Sequence, residues 1–380
     1  MILFFLIFFG LHSLVNFYIG LRGFQALEAT PQLRIWFVLF MVLMVVAYPI
    51  GRMWEKSWYH PLPITLHWVG AFWFAVMLYA TLALFVIDLA RVVNHFWPFF
   101  HMLHQNYILL KGYAFLGVSI LILAVIGFGH YNAWHPRTTK MDIVIKKSVP
   151  TIKTLRVVAV SDVHLGTIIG PRKTEKLVRS INALKPDLVL FAGDVVDEDV
   201  KSVINQNLGE CLKKIEASLG VYGCTGNHEY IGGGDPSIHY LEQNGITVLR
   251  DSVALIGDAF YLVGREDLQK KYSTHANRAS LEDLLEGLDF SKPIIMLDHQ
   301  PYALDKVEEA GVDLQISGHT HHGQLWPLGY LTQKIFEVSR GYKKKGETHF
   351  YVSTGYGTWG PPVRTGNRPE IVLFQLKFQP

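Results

Sequence analysis

Ser161-Asp162-Val163-His164-Leu165-Gly166 is the stretch from which the fold of this chain is read. The residues before it, Leu155 to Val160, form an unbroken apolar run, the pattern of a strand buried on both faces. Gly166 then turns the chain toward a helix predicted over 174–184. A carboxylate and an imidazole two residues apart at the carboxyl end of a strand can point into one crevice. Divalent metals of hard-to-borderline character accept such mixed oxygen and nitrogen ligation. One D-x-H pair carries little weight, because such pairs arise by chance.

Four stretches downstream repeat the arrangement. Leu188–Ala192 runs into Gly193-Asp194-Val195-Val196-Asp197, and Gly220–Cys224 into Gly226-Asn227-His228-Glu229. Ile294–Leu297 runs into Asp298-His299-Gln300-Pro301, and Leu314–Ile316 into Gly318-His319-Thr320-His321-His322-Gly323-Gln324. Helical spacing over 175–184, 207–217, 238–244 and 281–288 separates these runs. Strand-rich pairs at 253–264 and 350–378 predict added antiparallel strands. The class is α/β, and ligands bind such sheets at the carboxyl ends of the strands. A strand-end Asp alone is usually a cap, and a lone His usually a surface or satisfied core residue. Five strand ends offering Asp162, His164, Asp194, Asn227, His299, His319 and His321 are hard to obtain by chance. Seven N and O donors exceed a four-coordinate site and suit two divalent ions roughly 3.5–4 Å apart, sharing one carboxylate. His-rich ligation favours Mn, Fe or Zn over Mg or Ca.

The chain before residue 130 is different. Half of the 380 residues are hydrophobic, and they concentrate in the first third, which predicts a membrane part joined to a soluble part. Runs at 1–20, 33–51, 65–89 and 107–129 are each near the roughly 20 residues that cross a bilayer core. The first has neither a basic start nor a small-residue cleavage site before Arg22, so it reads as a spanning helix rather than a signal peptide. Four spans, with Arg52, Lys56, Arg137, Lys140, Lys146 and Lys147 on one side, place the downstream domain in the cytoplasm of a multi-pass plasma or bacterial inner-membrane protein. Asp88 and Lys111 lie near span ends, and no intramembrane acid–base pair suggests transport. His95, His101 and His104, set among aromatic residues, read as an interfacial belt rather than a metal or haem site. The organisation is therefore 1–130 membrane, 131–152 basic linker and 153–380 soluble domain. Net charge is +3, which implies no nucleic-acid partner, and Cys211 and Cys224 read as free thiols.

Together, D-V-H, G-D-V-V-D, G-N-H-E, D-H-Q-P and G-H-T-H resemble the calcineurin-like metallophosphoesterase superfamily over residues 154–378. G-N-H-E-Y, G-H-T-H-x-G-Q-L-W-P and G-T-W-G-P-P-V-R are similar to its membrane-associated branch. The resemblance implies a two-sheet sandwich flanked by helices. It implies one ion on Asp162, His164 and His321, a second on Asn227, His299 and His319, and Asp194 bridging both. His228 would be the histidine that protonates the leaving oxygen. His322 departs from the small residue usual in that branch, and is expected to point outward.

Asp197 and Glu229 follow ligand positions and are candidates to orient a histidine. Arg364, in a rigid Gly-Pro-Pro-Val loop, is the candidate for binding a phosphate oxygen. Gly232-Gly233-Gly234 reads as a flexible access loop and Lys343-Lys344-Lys345 as a solvated turn. The expected function is hydrolysis of a phosphodiester or pyrophosphate, with membrane attachment favouring a lipid-linked substrate. A soluble nucleotide diester and a non-hydrolytic phosphate-sensing scaffold are the alternatives.

Overall fold

The computed structural model describes residues 2–97 and 107–379. Two compact units emerge: Met1–His130 with Gly360–Val363, and Tyr131–Trp359 with Arg364–Pro380.

The first unit is helical: α1 (Ile2–Ala26), α2 (Pro31–Ser57), α3 (Pro61–Phe96) and α4 (Tyr107–Ala133). Among the described residues, α2, α3 and α4 are long and apolar enough to cross a membrane. The sequence predicted four spans; three helices among the described residues are long and apolar enough to cross, and the first predicted run, 1–20, falls on α1. His101 and His104 lie outside the described residues, whereas His95 is exposed near the end of α3.

Close backbone approach, which small residues allow, packs α2 on α3. A Cβ on Gly51 would meet the His67 nitrogen at 2.4 Å, and one on Gly70 would meet that of Tyr48 at 2.3 Å. Charge pairs that the sequence did not reveal lie in this unit. Glu55 and His67 are both buried, with Oε2 and Nδ1 2.7 Å apart. Arg22 reaches Asp88 at 2.5 Å, and the Tyr18 hydroxyl donates to the same carboxylate at 2.7 Å. Ionisable side chains placed in apolar helices need such partners.

The second unit holds two six-stranded sheets. One has the order β1 (Arg137–Ile145), β12 (Glu370–Phe378), β2 (Thr154–Val160), β3 (Leu188–Ala192), β4 (Val221–Cys224), β5 (Thr247–Leu249). The other runs β10 (Gly341–Lys345), β11 (Thr348–Val352), β9 (Leu314–Ser317), β8 (Ile294–Leu297), β7 (Phe260–Gly264), β6 (Ser252–Ile256). Period-two side-chain alternation sorts β8 between two cores. Ile295 and Leu297 join Val157, Leu190, Ile316 and Phe374 in one cluster, while Ile294 and Met296 pack with Leu281, Leu285 and Leu304 in another.

Several expectations change here. Residues 137–145, expected within a basic linker, form a strand parallel to β12, from Arg137↔Glu370 to Ile145↔Phe378. Lys140 within it and Lys146 just past its end mask the alternation that buries Ile143 and Ile145 to 2% exposure each. The run 350–378 is not one strand pair: β11 pairs with β9 and β10, and β12 crosses to the other sheet. Of the helix expected over 207–217, only Gly209–Leu212 is α-helical. Cys224 is buried, Cys211 half-buried, and neither is in a disulfide.

Candidate metal centre

The carboxyl ends of β2, β3, β4, β8 and β9 carry the seven candidate ligands. Parallel pairing of β2 with β3 and β3 with β4, and of β8 with β9, brings those ends side by side within each sheet. The backbone there is wound unusually tightly. Asp162, His164, Asp194, His319 and His321 all adopt left-handed conformations, with φ between 44° and 70°. Such conformations cost of order 1–3 kcal/mol each in a non-glycine residue and persist where surroundings over-determine them. The loops interlock: Asp162 N–H donates to Gly193 O at 3.1 Å, His164 N–H to Asp194 O at 3.0 Å, and Gly318 N–H to His299 O at 2.9 Å. His319 N–H and His228 N–H donate at 2.8 Å to the carboxylates of Asp162 and Asp194.

Glycine makes this proximity possible. A Cβ on Gly226 would stand 2.1 Å from Asp194 Oδ1, and one on Gly318 2.3 Å from Asp162 Oδ2. Gly226→Ala should therefore push Asp194 aside, costing about 1–3 kcal/mol by overpacking and weakening metal retention. A lower thermal midpoint with reduced bound metal checks this, and an unchanged protein contradicts it.

The donors fall into two groups. Asp162, His164 and His321 offer atoms all within 4.8 Å of one another, and so do Asp194, His299 and His319. In the first, His164 Nε2 and His321 Nε2 are 3.0 Å apart and Asp162 Oδ1 is 3.5 Å from His321 Nε2. In the second, Asn227 Oδ1 lies 2.8 Å from His319 Nδ1 and 3.2 Å from His299 Nε2. Asp194 Oδ2 is 3.0 Å from His299 Nε2 and 3.9 Å from His164 Nε2, so it faces both.

This arrangement fits divalent cations. Burial first, then the neighbouring charge of His299, lowers His319 to about 4; burial and His164 hold His321 well below its ordinary value. Neutral imidazoles are what a metal requires. His299 donates its Nδ1 proton to Ala192 O at 2.8 Å, leaving Nε2 turned to Asp194. Burial would lower His299, yet Asp194 and Asp162 raise it well above its ordinary value, a sign of how strongly this point demands positive charge.

Around the ligands, Glu229 is buried and accepts from the backbone N–H groups of Gly226, Asp194 and Val196 at 2.7, 3.1 and 2.9 Å, clamping the two loops together. Asp197 Oδ1 stands 3.1 Å from Nδ1 of His228. Burial would lower that histidine, but Asp194 and Asp197 raise it to about 9.

Arg364 is not where a phosphate oxygen could meet it. It is 0% exposed, and its guanidinium donates to the carbonyls of Gly357 and Thr354 and to Asn367, with Nη2 3.0 Å from His321 Nδ1. Desolvating a guanidinium demands such a full set of partners. His322 does not point outward either. Its left-handed backbone, φ 44°, turns the ring inward to lie 3.0 Å from Ser339 Oγ. A Cβ on Gly232 would collide with Glu198 O at 1.6 Å, so this glycine is packed rather than an open access loop. Lys343, Lys344 and Lys345 lie on β10 and pair with Glu337, Glu347 and Asp305. Asn367, which no sequence pattern singled out, donates to the His321 carbonyl at 2.5 Å.

A family model described as calcineurin-like phosphoesterase matches residues 155–323. An uncharacterized metallophosphoesterase of Aquifex aeolicus is 31% identical over 252 residues, which span 66% of this chain and 95% of that protein. A relative from Helicobacter pylori strain J99, also an uncharacterized metallophosphoesterase, is 31% identical over 271 residues, 70% of this chain and 71% of its own. From Danio rerio, a transmembrane protein with metallophosphoesterase domain is 32% identical over 273 residues. That match spans 68% of this chain and 62% of the zebrafish protein's length.

Proposed function

Because this chain belongs to the calcineurin-like phosphoesterase family, we propose that it is a membrane-anchored, dinuclear metal-dependent hydrolase of a phosphodiester or pyrophosphate bond in a lipid-linked substrate. The observation that carries the proposal is the position of Asp194, whose Oδ2 faces His299 at 3.0 Å and His164 at 3.9 Å. One carboxylate set between two groups of nitrogen and oxygen donors is the arrangement that a pair of cations requires. Asp162, His164 and His321 would hold one ion; Asn227, His299 and His319 would hold the other. Two divalent cations held there would supply Lewis acidity and lower the pKa of a water for displacement at phosphorus.

The chain's own residues do the rest. Asp197 and Asp194 keep the His228 imidazole protonated despite its burial. A histidine so held can deliver a proton to the departing oxygen. Asp197 Oδ1 stands 3.1 Å from Nδ1, which leaves Nε2 to meet the reacting group. The lipid assignment draws on the three helices able to cross a membrane, which keep the domain at a bilayer.

Detergent-solubilised full-length protein supplied with Mn²⁺ should hydrolyse lipid phosphoesters faster than water-soluble diesters. Equal turnover of soluble nucleotide diesters would reduce the helices to an anchor. With metal bound, no turnover of either would replace hydrolysis with phosphate sensing.

A further inference from the structure

Asn132 lies in the last turn of α4, and its side-chain amide donates to two main-chain carbonyls, Arg364 O and Asn367 O, both at 2.8 Å. Those two residues grip His321 from behind. Arg364 Nη2 is 3.0 Å from His321 Nδ1, and Asn367 Nδ2 donates to the His321 carbonyl at 2.5 Å. They are also tied to each other, Arg364 Nη1 donating to Asn367 Oδ1. One amide on a helix end thus holds both arms of the clamp on a single ligand.

The seat of that helix end is itself rigid. Lys173, buried, donates to Ala133 O at 2.9 Å, and Lys176 donates to Trp134 O at 2.7 Å. Amine donors at a helix C-terminus satisfy carbonyls that have no partner within the helix. Arg368 donates to His135 O at 2.9 Å, securing the same loop from its other side. Tyr356 donates its hydroxyl to Lys173 O at 2.9 Å and its N–H to Ser161 O at 2.9 Å, immediately before Asp162. The network therefore touches the loops of Asp162 and His321, both in the first donor group. In the second group His299 has a different orienting partner, its Nδ1 donating to Ala192 O at 2.8 Å.

We infer that Asn132 and Asn367 are positioning residues for the ion held by Asp162, His164 and His321, so that the affinity of this one site depends on how α4 ends. The inference rests on the dinuclear reading above and adds to it that the two ions are tuned separately. Residues that orient a ligand from outside the coordination sphere typically change metal affinity by roughly 10–100-fold when removed.

The test compares full-length wild type with Asn132→Ala and Asn367→Asp in detergent. Asn367→Asp keeps an oxygen for Arg364 and replaces the amide donor to the His321 and His322 carbonyls by a carboxylate oxygen. Bound manganese per chain is measured by elemental analysis across a series of buffered free Mn²⁺ concentrations. Asn182→Ala is the control, since its amide bonds Lys214 O and Glu216 N, in the segments that precede β3 and β4 rather than follow them.

Wild type and control should bind two ions, while each Asn variant retains one tightly and releases the other at roughly 10–100-fold higher free Mn²⁺. Wild-type affinity for both ions in the variants would overturn the inference and leave the dinuclear reading standing. Equal weakening of both ions would also overturn it, since that marks a general loss of structure. A wild type that binds no manganese would sink the dinuclear reading and this inference together. Should Asn132→Ala fail to fold, Asn367→Asp decides alone.

Discussion

Asp194→Asn should leave the purified full-length protein with neither ion and with hydrolysis at background. The carboxylate is buried, its Oδ1 accepts from His228 N–H at 2.8 Å, and its Oδ2 faces both donor groups. Burial would raise its proton affinity, but His299 and His228 hold it well below the usual carboxylate range, so it stays charged. Asparagine keeps the shape and the Oδ1 acceptor but replaces the charged oxygen between the two groups by a neutral amide. Losing one shared ligand costs both ions at once, which no other single substitution at the site should do. Elemental analysis and hydrolysis on the same preparation check this. An active, metal-replete Asp194→Asn protein contradicts the shared role.

His228→Asn is expected to behave in the opposite way, keeping both ions and losing turnover roughly 10²–10⁴-fold, the typical contribution of a general acid. Its ring lies edge-on to His164, with centroids 4.6 Å apart, and its Nδ1 is directed at Asp197 rather than at the carboxylates of the ligand groups. The rival role is real, because His164, Asp194 and His228 also offer atoms within 4.8 Å of one another. Metal content separates the two. If bound metal falls along with turnover, His228 is a ligand and another group must protonate the leaving oxygen.

How much of this was legible beforehand follows from the range of the forces involved. Leu155–Val160, Leu188–Ala192 and Ile294–Leu297 announce buried strands by apolar runs alone, and the structure forms strands over those residues. The candidate ligands could be read because each sits within four residues of such a strand's end, so parallel pairing carries them together without any long-range detail. Strand β1 was missed because Lys140 and Asp142 interrupt a short alternation, and its partner β12 lies more than two hundred residues away. The pairs Glu55–His67 and Arg22–Asp88 were invisible for a similar reason, being separated by 12 and 66 positions on different helices.

Arg364 and His322 mark the boundary most clearly. Their residue types suggested exposure, toward a phosphate or toward solvent. The conformation of the surrounding loops buries both and supplies hydrogen-bond partners that no local pattern specifies. The sequence by itself determined the two-part organisation, the α/β class and the chemistry of the strand ends, because periodicity and composition are local. Only the tertiary structure decided which side chains turn inward and which residues support them, because burial and hydrogen bonding depend on partners brought from distant parts of the chain.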